Sequence, residues 1–272
     1  MNAQTKFCPA DQLETPVVVL PYPQDLAELA TAERQAEARR IYNRPGVIVV
    51  DNAVGETILN GLREGLSNER RKFKDKFNHG HPSTESFNEA YRKASKRITK
   101  LTRALFGYDL PAVSAPSYRP MITENEPLHY DTYAVDCGKI SLMAVLNFDV
   151  RPRVWNVGPS FRDICRDSGE EVEEILKTKH AGESPSIPIR SAGLRGTGPL
   201  GPGTPLHRIE FAPGTVWYAN PKAVSHQIVY GGGAYFEQWT IDVEDCQCQA
   251  CIIEELGLKV PNLRTAAPAA AA

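Results

Sequence analysis

Three side chains of this sequence form a pattern that could bind a metal ion. His129 and Asp131 stand two positions apart, and His226 lies far downstream at the start of an apolar run. Side chains two positions apart in an extended segment point to the same face, so both can reach one metal. Two imidazoles and one carboxylate can occupy one face of an octahedral Fe(II) and leave three positions for a bidentate 2-oxo acid and dioxygen.

The same residues allow a simpler interpretation. His129 and Asp131 could form a hydrogen-bonded surface pair and His226 could be a core histidine, because a short His-x-Asp segment is common by chance. The surrounding sequence favours the metal site. A strand–turn–strand pattern at residues 211–220 precedes His226, and three glycines at 231–233 and a long final strand follow it. This layout is typical of the distal half of a double-stranded β-helix.

The elements that would position these residues divide the chain into two parts. Helical spacing of apolar residues predicts helices at 25–42, 56–77, 85–106 and 163–179, and a β-branched run predicts a buried strand at Gly46–Asp51. Short β-type runs predict further strands at Ser114–Ile122, Gly138–Phe148, Arg153–Val157, His207–Phe211, Thr215–Ala219, Ser225–Tyr230 and Ala234–Val243. Many short strands in series indicate a sandwich or barrel.

The predicted fold class is therefore α+β. We expect a jelly-roll or cupin-like double-stranded β-helix core at residues 112–245, with the helical N-terminal part, residues 25–107, packed on it. The chain is expected to form a single domain over residues 1–264, followed by a disordered Ala/Pro-rich tail at 265–272. The stretch 181–205 is dense in Gly, Pro and Ser, which is typical of a lid, a binding loop or disorder.

Composition excludes some classes of partner. The chain has 272 residues and a formal net charge of -2, whereas a general nucleic-acid binder would be strongly basic. Apolar runs fall well short of the 18 or so residues that stable membrane insertion requires, and the N-terminus has no export-signal pattern. We expect a cytoplasmic protein that acts on a small molecule; the oligomeric state stays open.

Several short segments, in order along the chain, resemble the Fe(II)/2-oxoglutarate-dependent dioxygenases, and most closely the Kdo hydroxylases, which act on a sugar acid. The matching segments are Ser117–Pro120, Leu128–Asp131, Arg151–Gly158, Phe211–Trp217, Val224–His226 and Glu237–Gln238. The resemblance implies that His129, Asp131 and His226 hold Fe(II), with 2-oxoglutarate and O2 as cosubstrates. It also implies hydroxylation of an unactivated carbon of a small molecule, such as a sugar acid or a natural-product intermediate, with release of succinate and CO2.

Two alternatives stay open. The same iron site could catalyse desaturation, epoxidation or cyclisation in a biosynthetic pathway, because the ligands do not determine the oxidative outcome. The chain could also be a non-catalytic cupin-like barrel that binds a metal or another ligand. One departure favours this view, since residues 227–241 lack the Arg or Lys that anchors 2-oxoglutarate in most such enzymes.

Another cation must then hold the distal carboxylate of 2-oxoglutarate. Lys139 is our first candidate, because it opens the predicted strand after the His-x-Asp segment. Arg153 is the second, and Arg151 and Arg119 follow. Tyr118 and Gln238 are expected to hydrogen-bond the cosubstrate or the substrate.

A cluster of cysteines follows the last predicted strand. Cys246, Cys248 and Cys251 could offer three thiolates to zinc, copper(I) or an iron–sulfur cluster. No fourth ligand stands nearby, although Cys137 or Cys165 could complete the set if the fold brought one of them close. We therefore expect reduced thiols there.

Overall fold

A computed structural model of the chain describes residues 6–7, 15–69, 84–110, 117–119, 123–131, 138–180, 194, 198–243 and 248–259. The strands are β1 (Lys6–Phe7), β2 (Val17–Pro21), β3 (Val47–Asp51), β4 (Ser117–Arg119), β5 (Thr123–Glu124), β6 (Lys139–Asn147), β7 (Arg153–Ser160), β8 (Pro205–Phe211), β9 (Val216–Ala219), β10 (Val224–Gly231) and β11 (Ala234–Asp242). The helices are α1 (Ala32–Asn43), α2 (Glu56–Glu69), α3 (Glu85–Phe106), α4 (Phe161–Asp167), α5 (Gly169–His180) and α6 (Gln249–Glu255), with short 3-10 helices at Leu26–Glu28 and Gly198–Leu200.

The described strands form two sheets. The six-stranded sheet has the order β2-β3-β9-β6-β11-β4, and the five-stranded sheet has the order β1-β8-β7-β10-β5. Inward-facing residues of both sheets, including Val145, Trp155, Phe211 and Trp217, form one buried apolar cluster. The two sheets therefore face each other across a shared core, and the predicted class of mixed helices and sheets is confirmed.

Helices α1, α2 and α3 cover the outer face of the six-stranded sheet. Buried residues of α3 recur at intervals of three or four, so one stripe of the helix packs on the sheet; they are Phe87, Ala90, Ala94, Ile98, Leu101, Leu105 and Phe106. The Thr84 side chain accepts a hydrogen bond from the Phe87 backbone N–H at the start of α3. Gly107, at φ 68°, ends the helix in the left-handed conformation that glycine adopts at least cost.

A third buried cluster joins helices α4, α5 and α6 to Leu206 of β8. Helices α4, α5 and α6 contribute Phe161, Ile164, Val172 and Ile252, which pack with Tyr130 and other apolar side chains. On the same face of β8, Arg208 and Glu210 are exposed, so this cluster covers only part of the five-stranded sheet. The cluster includes Leu128 and Tyr130, which stand on either side of His129 in the sequence.

Most predicted strands are confirmed within one to three residues, and the helix at 85–106 is confirmed. The helix predicted at 25–42 begins later, at Ala32, because Asp25 caps a separate 3-10 turn and Thr31 caps α1. The helix predicted at 163–179 is two helices, because a capping box of Ser160 and Asp163 starts α4 and Ser168 ends it. Strands β1, β2 and β5 and helix α6 were not predicted.

Several sequence expectations fall outside the described residues. They include residues 70–77 of the helix predicted at 56–77, most of the strand at 114–122, nearly all of 181–197, and the tail at 265–272. No helix within the described ranges is long and apolar enough to cross a membrane.

Candidate metal centre

The candidate site forms where the segment after β5 meets strand β10. His129 and His226 are bridge partners in antiparallel geometry. The His129 N–H donates to the His226 carbonyl at 3.0 Å, and the His226 N–H donates to the His129 carbonyl at 2.9 Å. The backbone therefore sets the two imidazoles side by side, with ring centroids 4.5 Å apart.

Three ligand atoms converge at this position. The Asp131 Oδ1 lies 3.5 Å from His129 Nε2 and 3.8 Å from His226 Nε2. One ligand atom from each of the three residues lies within 4.8 Å of the other two. Ligand atoms at right angles on a metal with bonds of about 2.1 Å lie about 3 Å apart, so a small contraction would allow all three to bind one ion.

Backbone carbonyls orient both imidazoles. His129 Nδ1 lies 2.8 Å from the Pro127 carbonyl oxygen, and His226 Nδ1 lies 3.2 Å from the Val224 carbonyl oxygen. A ring that donates from Nδ1 to a carbonyl is the tautomer that keeps its lone pair on Nε2. Both Nε2 atoms face Asp131, so the rings are oriented to bind a metal there.

Successive side chains of the His129–Asp131 segment point to opposite sides, so Tyr130 lies on the other side of the segment from the two candidate ligands. Tyr130 points away from the two ligands, is buried, and donates its hydroxyl to the Pro159 carbonyl at 2.9 Å. It also contacts Phe161 edge to face in the cluster beneath α4. This buried tyrosine fixes the register, and its neighbours must then face the site, as the spacing of two predicted.

The candidate ligand Asp131 is positioned by a backbone hydrogen bond to the loop that precedes β10. Its backbone N–H donates to the Pro221 carbonyl at 2.7 Å, while its side chain is about one third exposed (31%). The site is therefore open to solvent on the carboxylate side and buried on the histidine side, where His226 is 4% exposed.

Burial sets the charge state of His226. It lowers the pKa of the imidazole, and the nearby His129 lowers it further, while Asp131 and Glu126 act in the opposite direction. The net shift is downward, so His226 favours the neutral form that a metal requires.

Trp155 packs against the ring of the candidate ligand His226. Its indole stacks on the His226 ring with centroids 5.0 Å apart and an interplanar angle of 25°. It also meets Phe211 and Trp217 edge to face in the core between the sheets. The contact of Trp155 with the candidate ligand His226 was not predicted from the sequence.

A third histidine, His207, lies in line with His226 across neighbouring strands and faces the same side of the five-stranded sheet. Val157 of β7 pairs with both His226 of β10 and His207 of β8. Residues directly opposite each other in neighbouring strands share a face, so His207, Val157 and His226 point to one side. His207 was not among the site residues predicted from the sequence. The alternation of β8, in which His207, Ile209 and Phe211 share a face, was the signal available.

The two leading cosubstrate candidates lie in different surroundings. Arg153 is buried (3% exposed) on the face of β7 that also carries Trp155, and its Nη1 lies 3.4 Å from the Gly232 carbonyl oxygen. Lys139 opens β6, is exposed, and places its Nζ 3.9 Å from Asp242 Oδ1. The structure thus puts the arginine in the core between the sheets and the lysine at its solvent edge.

The other candidates are placed as follows. The Arg151 guanidinium lies over the Tyr230 ring, 5.8 Å from its centroid, on an exposed residue. Gln238 is exposed and donates to the Ser141 hydroxyl at 2.6 Å. In β4, Tyr118 pairs with Tyr235 and Arg119 with Ala234. These backbone pairings place β4 at the edge of the six-stranded sheet.

The cysteine cluster does not supply a metal site among the described residues. Among the described residues, one group of three or more His, Cys, Asp or Glu side chains could hold an ion, and it consists of His129, Asp131 and His226. Cys248 and Cys251 lie together at the start of α6, whereas Cys165 is a buried residue of α4. Cys137 and Cys246 lie outside the described residues.

Comparison with known proteins gives a match in structure but not in sequence. No protein-family model matches the chain, and no curated protein matches it. An apo structure of the Kdo hydroxylase KdoO, a non-haem Fe(II) and α-ketoglutarate dependent dioxygenase, superposes with a TM-score of 0.64 at 13% identity, over 90% of this chain and 97% of that one. Its complex with cobalt(II) gives a TM-score of 0.63 at 13% identity, over 90% and 97% of the two chains.

A further structure of that hydroxylase holds α-ketoglutarate and Fe(III). It gives a TM-score of 0.58 at 13% identity, over 92% of this chain and 94% of the hydroxylase chain. The alignments thus span nearly the whole of both molecules. The likeness confirms, at the level of the fold, the resemblance seen in the sequence: this chain has the fold of the Kdo hydroxylase structures.

Proposed function

We propose that this protein is a non-haem Fe(II)/2-oxoglutarate-dependent oxygenase that hydroxylates an unactivated carbon of a small polar molecule. One observation carries the proposal. Two imidazole Nε2 atoms and one carboxylate oxygen converge from His129, His226 and Asp131, and both imidazoles are oriented by backbone carbonyls.

The donor set fits iron better than a structural ion. Two histidines and one carboxylate on one face leave positions open, whereas a structural zinc site is closed by four protein ligands. When bound there, Fe(II) with 2-oxoglutarate would supply dioxygen activation, with succinate and CO2 as coproducts. The protein's own part is to hold the three ligands and to exclude water from the histidine side.

We also infer that the paired sheets form a double-stranded β-helix. From β4 to β7, successive strands alternate between the six-stranded and the five-stranded sheet, and from β8 to β11 they alternate again. This alternation places the start of β10, with His226, beside the His-x-Asp segment.

A buried arginine supports cosubstrate binding between the sheets. Arg153 shares its face of β7 with Trp155, and a guanidinium can hold a carboxylate through two parallel hydrogen bonds. The Trp155 Nε1 is also buried and has no hydrogen-bond acceptor within the described part of the chain. A carboxylate bound here would provide one, so we favour Arg153 over Lys139 as the anchor of 2-oxoglutarate.

The polar end of the six-stranded sheet favours a polar substrate. On β11, the residues that face the other sheet change from Ala234 and Phe236, which pack in the core, to Gln238 and Thr240, which are exposed. Ser141 of β6 pairs with Thr240 and accepts a hydrogen bond from Gln238. Hydroxyl and amide groups at this end suit a substrate with several hydroxyl or carboxylate groups, such as a sugar acid.

The test is an anaerobic titration of the apo-protein with Fe(II) and then 2-oxoglutarate. We expect the weak visible charge-transfer band of the iron chelate in the wild type and its loss in His226→Ala. Gln227→Ala is the matched control, because Gln227 is the next residue of β10 and is hydrogen-bonded to Asn156 on the opposite face. Absence of the band, with iron binding unaffected by His226→Ala, would overturn the proposal.

A second readout separates hydroxylation from other outcomes. With iron in place, candidate sugar acids should stimulate oxygen uptake and succinate release in equal amounts, and mass spectrometry should show a product heavier by one oxygen atom. A product that has lost two hydrogens would instead establish desaturation or ring formation at the same site.

A further inference from the structure

Two cysteines outside the metal centre lie within reach of each other. Cys248 and Cys251 bracket the first turn of α6, and their Sγ atoms are 3.2 Å apart. The Cys251 backbone N–H also points to Cys248 Sγ, at 3.4 Å. Both residues are partly exposed. A disulfide requires the sulfurs to approach to about 2.05 Å, so closure needs a shift of only about 1 Å.

Cys165 lies in a more buried environment than this pair. It is buried (2% exposed), and burial raises the pKa of its thiol to about 12. Thiolate is the nucleophile in disulfide exchange, so Cys165 is expected to stay inert. The chain therefore carries its own internal control.

The pair is connected to the metal centre through two hydrogen bonds. Gln249, between the two cysteines, is 4% exposed and donates its side-chain amide to the Lys222 carbonyl at 2.8 Å. The neighbouring Pro221 carbonyl accepts the backbone N–H of Asp131 at 2.7 Å. A movement at the start of α6 would thus reach the loop that holds the carboxylate ligand.

We propose that Cys248 and Cys251 form a redox-active dithiol that exchanges with low-molecular-weight disulfides. The thiolate of one cysteine attacks the reagent disulfide, which forms a mixed disulfide and releases one thiol. The second cysteine attacks the mixed disulfide at the protein sulfur and releases the second thiol. Two electrons and two protons pass from the pair to the reagent, which leaves as two thiols.

The proposal includes a consequence for metal binding, and this part rests on the proposed metal site. Closing the disulfide moves the first turn of α6 and the Gln249 amide with it. We expect the oxidised protein to bind a divalent metal about threefold or more weakly than the reduced protein.

The first experiment equilibrates the protein with mixtures of glutathione and glutathione disulfide. Remaining thiols are then alkylated with N-ethylmaleimide and mapped by peptide mass spectrometry. We expect Cys248 and Cys251 to escape alkylation together as one internal disulfide, while Cys165 is alkylated after unfolding at every ratio. Cys248→Ser should leave Cys251 as a mixed disulfide with glutathione, and Cys246→Ser should leave the internal disulfide intact. Full alkylation of the pair in the most oxidising buffer, or a bond from either cysteine to Cys246, would overturn the proposal.

The second experiment titrates Co(II) into the reduced and the oxidised protein. Weaker binding after oxidation, with no such change in Cys248→Ser or Cys251→Ser, would support the coupling. Equal affinity in both states would overturn the coupling, although the disulfide itself would stand. If Co(II) bound in neither state while the disulfide still formed, the metal site would fail and the dithiol would not.

Discussion

His129 and His226 exchange both of their backbone hydrogen bonds, at 3.0 and 2.9 Å, as an isolated antiparallel pair. Such a pair fixes the separation of the two Cα atoms and sends both side chains to one face of the sheet. The relative position of the two imidazoles is therefore set by the backbone pairing.

Replacing either histidine should abolish tight metal binding while leaving this backbone pair intact. We expect His129→Ala and His226→Ala each to weaken Co(II) binding by about 100-fold or more, because loss of a ligand exceeds the 10–100-fold effect of losing an outer partner. Isothermal titration would measure the effect, with Gln227→Ala as the control. Affinities within about twofold of wild type in both histidine variants would place the metal elsewhere.

Arg153 and Lys139 can be distinguished by the requirement for 2-oxoglutarate. Arg153→Lys keeps the positive charge but loses the two-pronged donor, so we expect the half-saturating 2-oxoglutarate concentration to rise about 10-fold or more. Lys139→Ala should change it by less than about twofold, because the lysine lies at the solvent edge beside Asp242. The opposite ranking would restore Lys139 as the anchor. Thermal unfolding of each variant checks that the fold is retained.

His207 should affect ligand binding without affecting the metal. It shares a row with Val157 and His226, about 10 Å from His226 across two strand spacings, which is too far to coordinate the same ion but near enough to meet a bound ligand. We expect His207→Ala to leave Co(II) affinity unchanged and to raise the KM for substrate or 2-oxoglutarate several-fold. The control is Arg208→Ala, on the opposite face of β8. A loss of metal affinity in His207→Ala would contradict this assignment.

Trp155 combines packing with a polar group, and two substitutions separate these roles. Trp155→Ala removes a buried indole that contacts Phe211, Trp217 and His226, so it should lower the free energy of unfolding by about 3–5 kcal/mol in urea denaturation. Trp155→Phe keeps an aromatic ring but removes the Nε1 donor. We expect a smaller loss of stability and weaker 2-oxoglutarate binding. Unchanged 2-oxoglutarate binding in Trp155→Phe would assign this tryptophan to packing alone.

Glu237 makes stability depend on pH. It is fully buried between β11 and α3, accepts hydrogen bonds from the Tyr235 hydroxyl at 2.6 Å and the Thr99 hydroxyl at 3.2 Å, and its pKa is raised, chiefly by burial. The folded state therefore holds the proton more tightly than the unfolded state. The resulting stability is present below the unfolded pKa and is lost as pH rises through the folded pKa.

Glu237→Gln should remove this dependence. We expect the variant to match the wild type near pH 4 and to unfold about 2–4 °C higher at pH 7, because the amide has no charge to desolvate. Thermal melts across this pH range measure the difference. A variant that is less stable than wild type at pH 7 would show that the charged carboxylate contributes favourably through its hydroxyl donors.

Several local elements and the three ligand candidates could be predicted from the sequence. Strand β3 is a β-branched run, α3 has a regular apolar stripe, and the His129–Asp131 spacing places two side chains on one face. Each of these patterns lies within one continuous segment of the chain. Local periodicity is sufficient to predict such features because the backbone geometry of a strand or helix sets which side chains share a face.

Long-range pairing decided the rest. The backbone pair of His129 with His226, the row that adds His207, the stacking of Trp155 on His226 and the burial of Arg153 all depend on the register between distant strands. Strand β2 pairs parallel to β3, and α6 packs near the loop at Pro221, through contacts that leave no periodic signal in their own sequence. The pairing of a strand depends on packing contacts throughout the sheet. Only the tertiary structure could therefore show which residues surround the site.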